Sequence, residues 1–156
     1  MNNEDLFKLL QGLNEVAGYK GARFAYAVAR NIDKLTNECK LLEKQVVPSE
    51  EFQEFENKRL ELAKGYCDKN EDGSPVTKDN MFVFNGGTQM PKELADAMEA
   101  LVNENKDLLE ARNAQISDFN VLLKDLSDFV PYKLKEEFLP DDITAAQMVN
   151  ILPIID

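Results

Sequence analysis

The chain has 156 residues, 44% hydrophobic and 30% charged, with a formal net charge of −11 and no histidine. That balance excludes a disordered polymer, and no apolar run approaches the ~20 residues a bilayer-spanning helix needs, so one folded, soluble, helix-rich domain is expected over 1–156. Without histidine no Ser-His or Cys-His nucleophile pair exists, and two cysteines alone make no ordinary zinc site. The opening MNNEDLFKLLQ is acidic and lacks the basic and then apolar stretch of a secretory signal, so a cytoplasmic location is expected. The charge is uneven: residues 1–47 sum to +1 and residues 48–156 to −12. Such a surface repels phosphate backbones, which argues against direct nucleic-acid binding.

Residues 3–17 read as a short amphipathic helix with Leu6, Leu9, Leu10, Leu13 and Val16 on its apolar face and Asn3 as its cap. Gly18 and Gly21 mark a bend. A long helix over 22–47 then carries Phe24, Val28, Ile32, Leu35, Cys39, Leu42 and Val46 at steps of three and four, and Pro48 ends it. A second long helix over 49–69 follows a junction of a few residues, which predicts an antiparallel helical hairpin of coiled-coil type. Cys39 and Cys67 then lie too far apart in that hairpin for a disulfide and read as buried thiols.

Residues 75–85 read as a small β-hairpin, with Pro75-Val76-Thr77 and Met81-Phe82-Val83-Phe84 as strands around Lys78-Asp79-Asn80. A third long helix spans 91–125, with Pro91 at its first position. Its apolar seam slips by one residue between Leu108 and Leu109, and Asn105 and Arg112 interrupt it at would-be core sites. Residues 129–134 read as a further strand, confined to an edge by Pro131. Thr144 and Gln147 form a capping box that starts a short helix over 144–151. The expected fold is therefore mainly α: an elongated antiparallel helical hairpin or coiled coil, a third long helix, and a small inserted β-hairpin or three-stranded β-element.

Three groups of residues invite functional readings. Asp68, Asn70, Asp72, Gly73, Ser74 and Asp79 match the D-x-N-x-D-G spacing of a calcium loop, in which Asp68, Asn70, Asp72, Ser74 and Asp79 are the ligand candidates for Ca²⁺ or Mg²⁺. Pro75 at the usual aliphatic position, the short Asp79 side chain and the strand-like MFVFN that follows point instead to a polar turn between helix and strand. Met81, Phe82 and Phe84 are partner-binding candidates, because a two-stranded ribbon cannot bury both faces alone. Lys20, Arg23, Arg30 and Lys34 recur on the first long helix, where pairing with the acidic second helix is expected. No residue is a catalytic candidate, no phosphate-cradling Gly-rich motif occurs, and no bound cofactor is implied.

Several segments in order resemble a family of small proteins of unknown function from tailed bacteriophages and prophages. They are Ala29-Arg30-Asn31-Ile32-Asp33-Lys34-Leu35, then Pro48-Ser49-Glu50-Glu51-Phe52-Gln53-Glu54-Phe55-Glu56, then Tyr66 to Val76 with its Asp72-Gly73-Ser74-Pro75 turn. Leu139 to Met148 and the closing Ile151-Leu152-Pro153-Ile154-Ile155 complete the set, so the resemblance covers about residues 27–155. It implies a phage origin and carries no activity or site residue with it. The helix–hairpin–helix plan is also prefoldin-like in architecture alone.

The expectation that follows is a non-enzymatic phage protein of the host cytoplasm or the virion, acting through contacts with a phage or host protein or with copies of itself. Two other readings stand beside it. One is an acidic inhibitor of a host nucleic-acid enzyme or defence system, using residues 99–142 as a phosphate mimic. The other is a calcium-binding module built on residues 68–79.

Overall fold

A computed structural model describes residues Met1–Asp156. The chain is mainly helical, with six α-helices and one two-stranded antiparallel sheet. No helix is long and apolar enough to cross a membrane. The chain divides into two units, one made of Met1–Val47 with Ile116–Asp156, the other of Pro48–Gln115.

In the first unit, α1 spans Asn3–Val16 and α2 spans Ala22–Lys44. The cap of α1 is Asn2, one residue earlier than expected. Its side chain accepts from the Asp5 N–H at 2.9 Å, and the Asp5 carboxylate accepts from the Asn2 N–H at 3.0 Å. Two further N–H groups of the first turn find carbonyls across the unit: Asn3 donates to Asp125 at 3.0 Å and Glu4 to Leu123 at 2.9 Å. Those carbonyls belong to the C-terminal end of α5, which spans Lys106–Leu122 and the turn after it. Each helix end thus satisfies the groups the other leaves unpaired, and the opposite ends of their dipoles meet.

The seam read along α2 is real. Phe24, Val28, Leu35 and Cys39 are buried, and Ala27 and Asn31 join them. Side chains from elsewhere in the first unit pack on it. Within the first unit, α1 supplies Leu6, Leu9, Leu13 and Val16, and the C-terminal stretch supplies Leu134, Ile151 and Ile154. The C-terminal stretch includes a single helical turn at Glu136–Phe138, then α6 over Ala145–Ile151, then another turn at Leu152–Ile154. The Thr144–Gln147 capping box forms as expected. Burial pushes the Cys39 thiol up to about 11, and both cysteines are free.

Residues 129–134 do not join the β-hairpin as a third strand. The segment is extended but makes one parallel bridge, Leu134 to Ile155. There the Leu134 N–H donates to the Ile154 carbonyl at 2.7 Å, and the Asp156 N–H donates to the Leu134 carbonyl at 2.8 Å. Pro131 supplies no N–H, which limits the ladder.

In the second unit, α3 spans Glu50–Tyr66 with Ser49 as its cap and packs on α4, Lys92–Glu104. The sheet is β1 at Thr77–Lys78 and β2 at Met81–Phe82, in the register Thr77 to Phe82 and Lys78 to Met81. The third long helix is broken. Asn105 leaves helical geometry at φ −115°, ψ 23°, and its side-chain amide donates to the Leu101 carbonyl at 2.8 Å. The break falls about one helical turn before the slip of the apolar seam at Leu108 and Leu109, and a single straight rod cannot present both halves of a slipped stripe to one neighbour.

Gly12 sits where α1 passes close to the backbone of α6. A Cβ there would meet Asn150 Cβ at 2.6 Å and the Asn150 carbonyl oxygen at 3.0 Å. Backbone cannot yield as a flexible side-chain tip can. Gly12→Ala is therefore expected to cost about 1–3 kcal/mol from overpacking, against a gain of about 1 kcal/mol in helix propensity. A urea titration should show a net loss of stability, with the unfolding midpoint below that of the native chain.

Candidate functional site

The segment after α3 is held by its own hydrogen bonds. Asp68 is its staple: its backbone N–H donates to Val83 and its carbonyl accepts from Val76, both at 2.8 Å. Its two carboxylate oxygens accept from the N–H groups of Asn85 at 2.9 Å and Gly86 at 2.8 Å. Asp72 accepts from the Ser74 hydroxyl at 2.6 Å and the Ser74 N–H at 2.9 Å, which holds its carboxyl below the usual range. The Asn70 side chain donates to the Ser74 hydroxyl at 3.0 Å. Gly73, at φ +82°, lets the turn close.

Asn70, Asp72 and Ser74, three of the calcium-ligand candidates, are joined by these hydrogen bonds, and no group of three or more Cys, Asp or Glu side chains that could hold a metal ion is present. Asp79 lies in the turn between β1 and β2. There Asp79 and Asn80 both take left-handed backbone, φ 51° and 63°, as a two-residue hairpin turn with the twist of the strands requires. Asn85 and Gly86 make a second such turn, closed by Phe84 and Gly87. The Asn-Gly pair is its signal in the sequence.

The partner-binding candidates separate. Phe84 is buried with Cys67 and Leu94, against Leu62, Phe82 and Met98. It is a core residue of the second unit, because alternation along the strand turns it toward α3 and α4. Phe82 is half-buried beside it, their rings 6.5 Å apart. Met81 alone stays exposed, at 53%.

The first unit carries two surface features. One is an open cleft of about 1150 Å³ lined by side chains of both signs, among them Glu15, Lys20, Arg23, Glu137, Asp141 and Asp142. The other is a stack of rings and cations along α2. The Arg23 guanidinium lies 4.3 Å over the Phe138 ring and that of Arg30 lies 4.6 Å over Tyr132. Tyr26 and Tyr132 meet edge to face at 5.7 Å. The expected pairing of Arg23 and Arg30 with acidic side chains is thus replaced by aromatic stacking: neither lies within ion-pair distance of a carboxylate.

Sequence reasoning missed what holds this stack. Asn31 is fully buried, the one buried polar residue of the chain. Its amide donates to the Ala27 and Tyr132 carbonyls, each at 2.9 Å, and its side-chain oxygen accepts from the Tyr132 N–H at 2.8 Å. Its position was a signal, seven residues after Phe24 and four before Leu35, on the seam itself. Compared with protein-family models, with curated proteins and with solved structures, the chain matches none of them.

The staple and the ligand readings of residues 68–79 separate by mutation. Asp68→Ala removes two hydrogen bonds to an ionised acceptor and is expected to cost about 1–3 kcal/mol. Asp79→Gly relieves a left-handed residue and should stay within about 0.5 kcal/mol of the native chain. Urea titration with and without millimolar Ca²⁺ reads both, and the midpoints should not depend on the ion.

Proposed function

We propose that this chain works by binding another protein and catalyses no reaction, as an assembly or accessory factor of a tailed phage. The observation behind the binding reading is the thin core of residues 48–115. Its buried hydrophobic side chains are Phe55, Ala63, Cys67, Phe84 and Leu94, whereas Leu60, Tyr66, Met81, Met90 and Val102 remain exposed. A unit of this size that encloses so few side chains has apolar area left to bury against a second chain. Met81, the strand residue that follows the Asp79-Asn80 turn, is the most exposed of them.

The chemistry of the chain agrees with that reading. It has no histidine, and its acidic side chains do not assemble into a cluster. The phage attribution rests on the ordered segments between residues 27 and 155 and on nothing else. A host or phage protein, or a second copy of the chain, would serve equally as the partner.

Affinity capture from infected-cell lysate, with light scattering of the purified chain, tests the reading. A defined partner or a mass above 17.7 kDa is expected, and Met81→Glu or Val102→Glu should weaken the association about tenfold or more while leaving the helical circular dichroism intact. A monomer that captures nothing, or an association indifferent to both substitutions, would contradict it.

A further inference from the structure

A groove of about 490 Å³ runs between α2 and the segment after Pro131. It is lined chiefly by Arg23, Tyr26, Tyr132, Lys133, Lys135 and Phe138, and no acidic residue lines it. In a chain with 29 Asp and Glu against 18 Lys and Arg, a groove with three cations, three rings and no carboxylate in its lining is locally basic, with Glu137 4.0 Å from Lys135 at its margin.

The ring stack fixes how the cations are presented. A guanidinium lying flat on a ring has its face occupied and its N–H edges free, and those edges match a carboxylate bidentately. Arg23, in the groove, lies 4.3 Å from its ring centroid, and Arg30, which adjoins the groove over the Tyr132 ring without lining it, lies 4.6 Å from its centroid. Arg30 is oriented further by its bond to the Tyr26 hydroxyl at 3.3 Å, which uses one of its N–H groups. Beneath them, Asn31 locks the backbone of Tyr132 through two hydrogen bonds. The groove is therefore preorganised, and a ligand does not have to order it. Tyr26 and Tyr132 keep 57% and 37% of their surface exposed, which leaves apolar area for a ligand to cover.

We propose that this groove binds an extended acidic peptide segment of a partner protein, with two carboxylates three residues apart engaging Arg23 and Arg30 and an apolar residue between them resting on Tyr26 and Tyr132. The spacing follows from the helix. Seven residues separate the two arginines, about 10 Å along α2. In a polyproline-type extended chain, residues three apart lie on one side about 9 Å from each other, and aromatic-lined grooves suit that conformation. A nucleic acid fits less well. Its phosphates recur without interruption and would run from the groove onto the surface of a chain with net charge −11. The site is separate from the apolar side chains of residues 48–115, so it stands whether or not those bind a partner.

Fluorescence anisotropy of the full chain tests this with three labelled probes: a Glu-Pro-Leu-Glu-Pro-Leu-Glu peptide, its Gln-for-Glu counterpart and a short oligothymidylate. Saturable binding of the acidic peptide is expected, weakening as salt rises from about 50 to about 300 mM. The Gln peptide should bind at least about tenfold more weakly. R23A/R30A should lose about tenfold or more, and R23K/R30K, which keeps the charge but not the planar fork, should lose part of the affinity. The double change Lys58→Ala, Lys92→Ala removes the same charge from the exposed surface of the other unit, and should leave binding within about twofold. Absence of binding, equal binding of the Gln peptide, or equal losses in R23A/R30A and the control would overturn the proposal. Tighter binding of the oligothymidylate than of the acidic peptide at the same salt would overturn the assignment of the partner as a protein.

Discussion

The buried amide of Asn31 is the constraint on which the first unit depends. A polar side chain with no solvent access is stable only when its hydrogen-bonding groups are met. Asn31 meets them by gripping the backbone of Tyr132, a hundred residues downstream, while also bonding its own helix at Ala27. That grip settles where the extended segment crosses α2. Leu134 is then placed against the core and takes the closing bridge to Ile155, and the rings of Tyr132 and Phe138 come to rest under Arg30 and Arg23. An apolar residue at position 31 would pack against the same seam but would not choose which backbone group of the crossing segment faces it. Burial drives the association, and the amide selects the register.

Around that grip the first unit closes its polar accounts locally. The free N–H groups of α1 meet the free carbonyls after α5, Asn2 and Asp5 cap each other, and Thr144 and Gln147 do the same for α6. Gly12 permits α1 and α6 to approach at backbone distance. The unit is well enclosed as a result, and no buried side-chain polar atom lacks a partner. Residues 48–115 solve a different problem. Their loop geometry is tightly specified by Asp68, Asp72 and two left-handed turns, yet their enclosed apolar core is small. Precise loops on a thin core, and a ring-and-arginine groove on a well-packed one, are both arrangements suited to presenting surfaces to other molecules.

The elements that local chemistry decides were legible in the sequence. The seam of α2, the bend at Gly18 and Gly21, the hairpin around Asp79-Asn80 and the Thr144 capping box each follow from residue spacing or backbone preference within a few positions. The break at Asn105 was half legible, since the seam slips about a turn later, but a slipped stripe and a broken rod look alike until the neighbour is known. The packing of residues 134–154 on α2 within the first unit was not legible, because their sequence separation leaves no local trace. The candidate sites divide the same way. The D-x-N-x-D-G spacing marked a turn built from the same residues a calcium loop uses, and the structure adds that the Asp68 and Asp72 carboxylates accept hydrogen bonds from the segment itself. Phe84 looked like a contact residue because a lone ribbon has two faces; the positions of α3 and α4 decided which face was covered. Arg23 and Arg30 were seen, but their aromatic partners lie about a hundred residues away.

Native-state hydrogen exchange at the Tyr132 amide tests the grip of Asn31 most directly. Tyr132 lies in an extended segment outside any helix or ladder, so without that grip its N–H should exchange like an ordinary loop amide. Protection approaching that of buried α2 amides such as Leu35, falling to loop-like exchange in Asn31→Ala while Leu35 stays protected, is the expected result. A Tyr132 amide that exchanges at loop rates in the native chain, or one unaffected by Asn31→Ala, would contradict it.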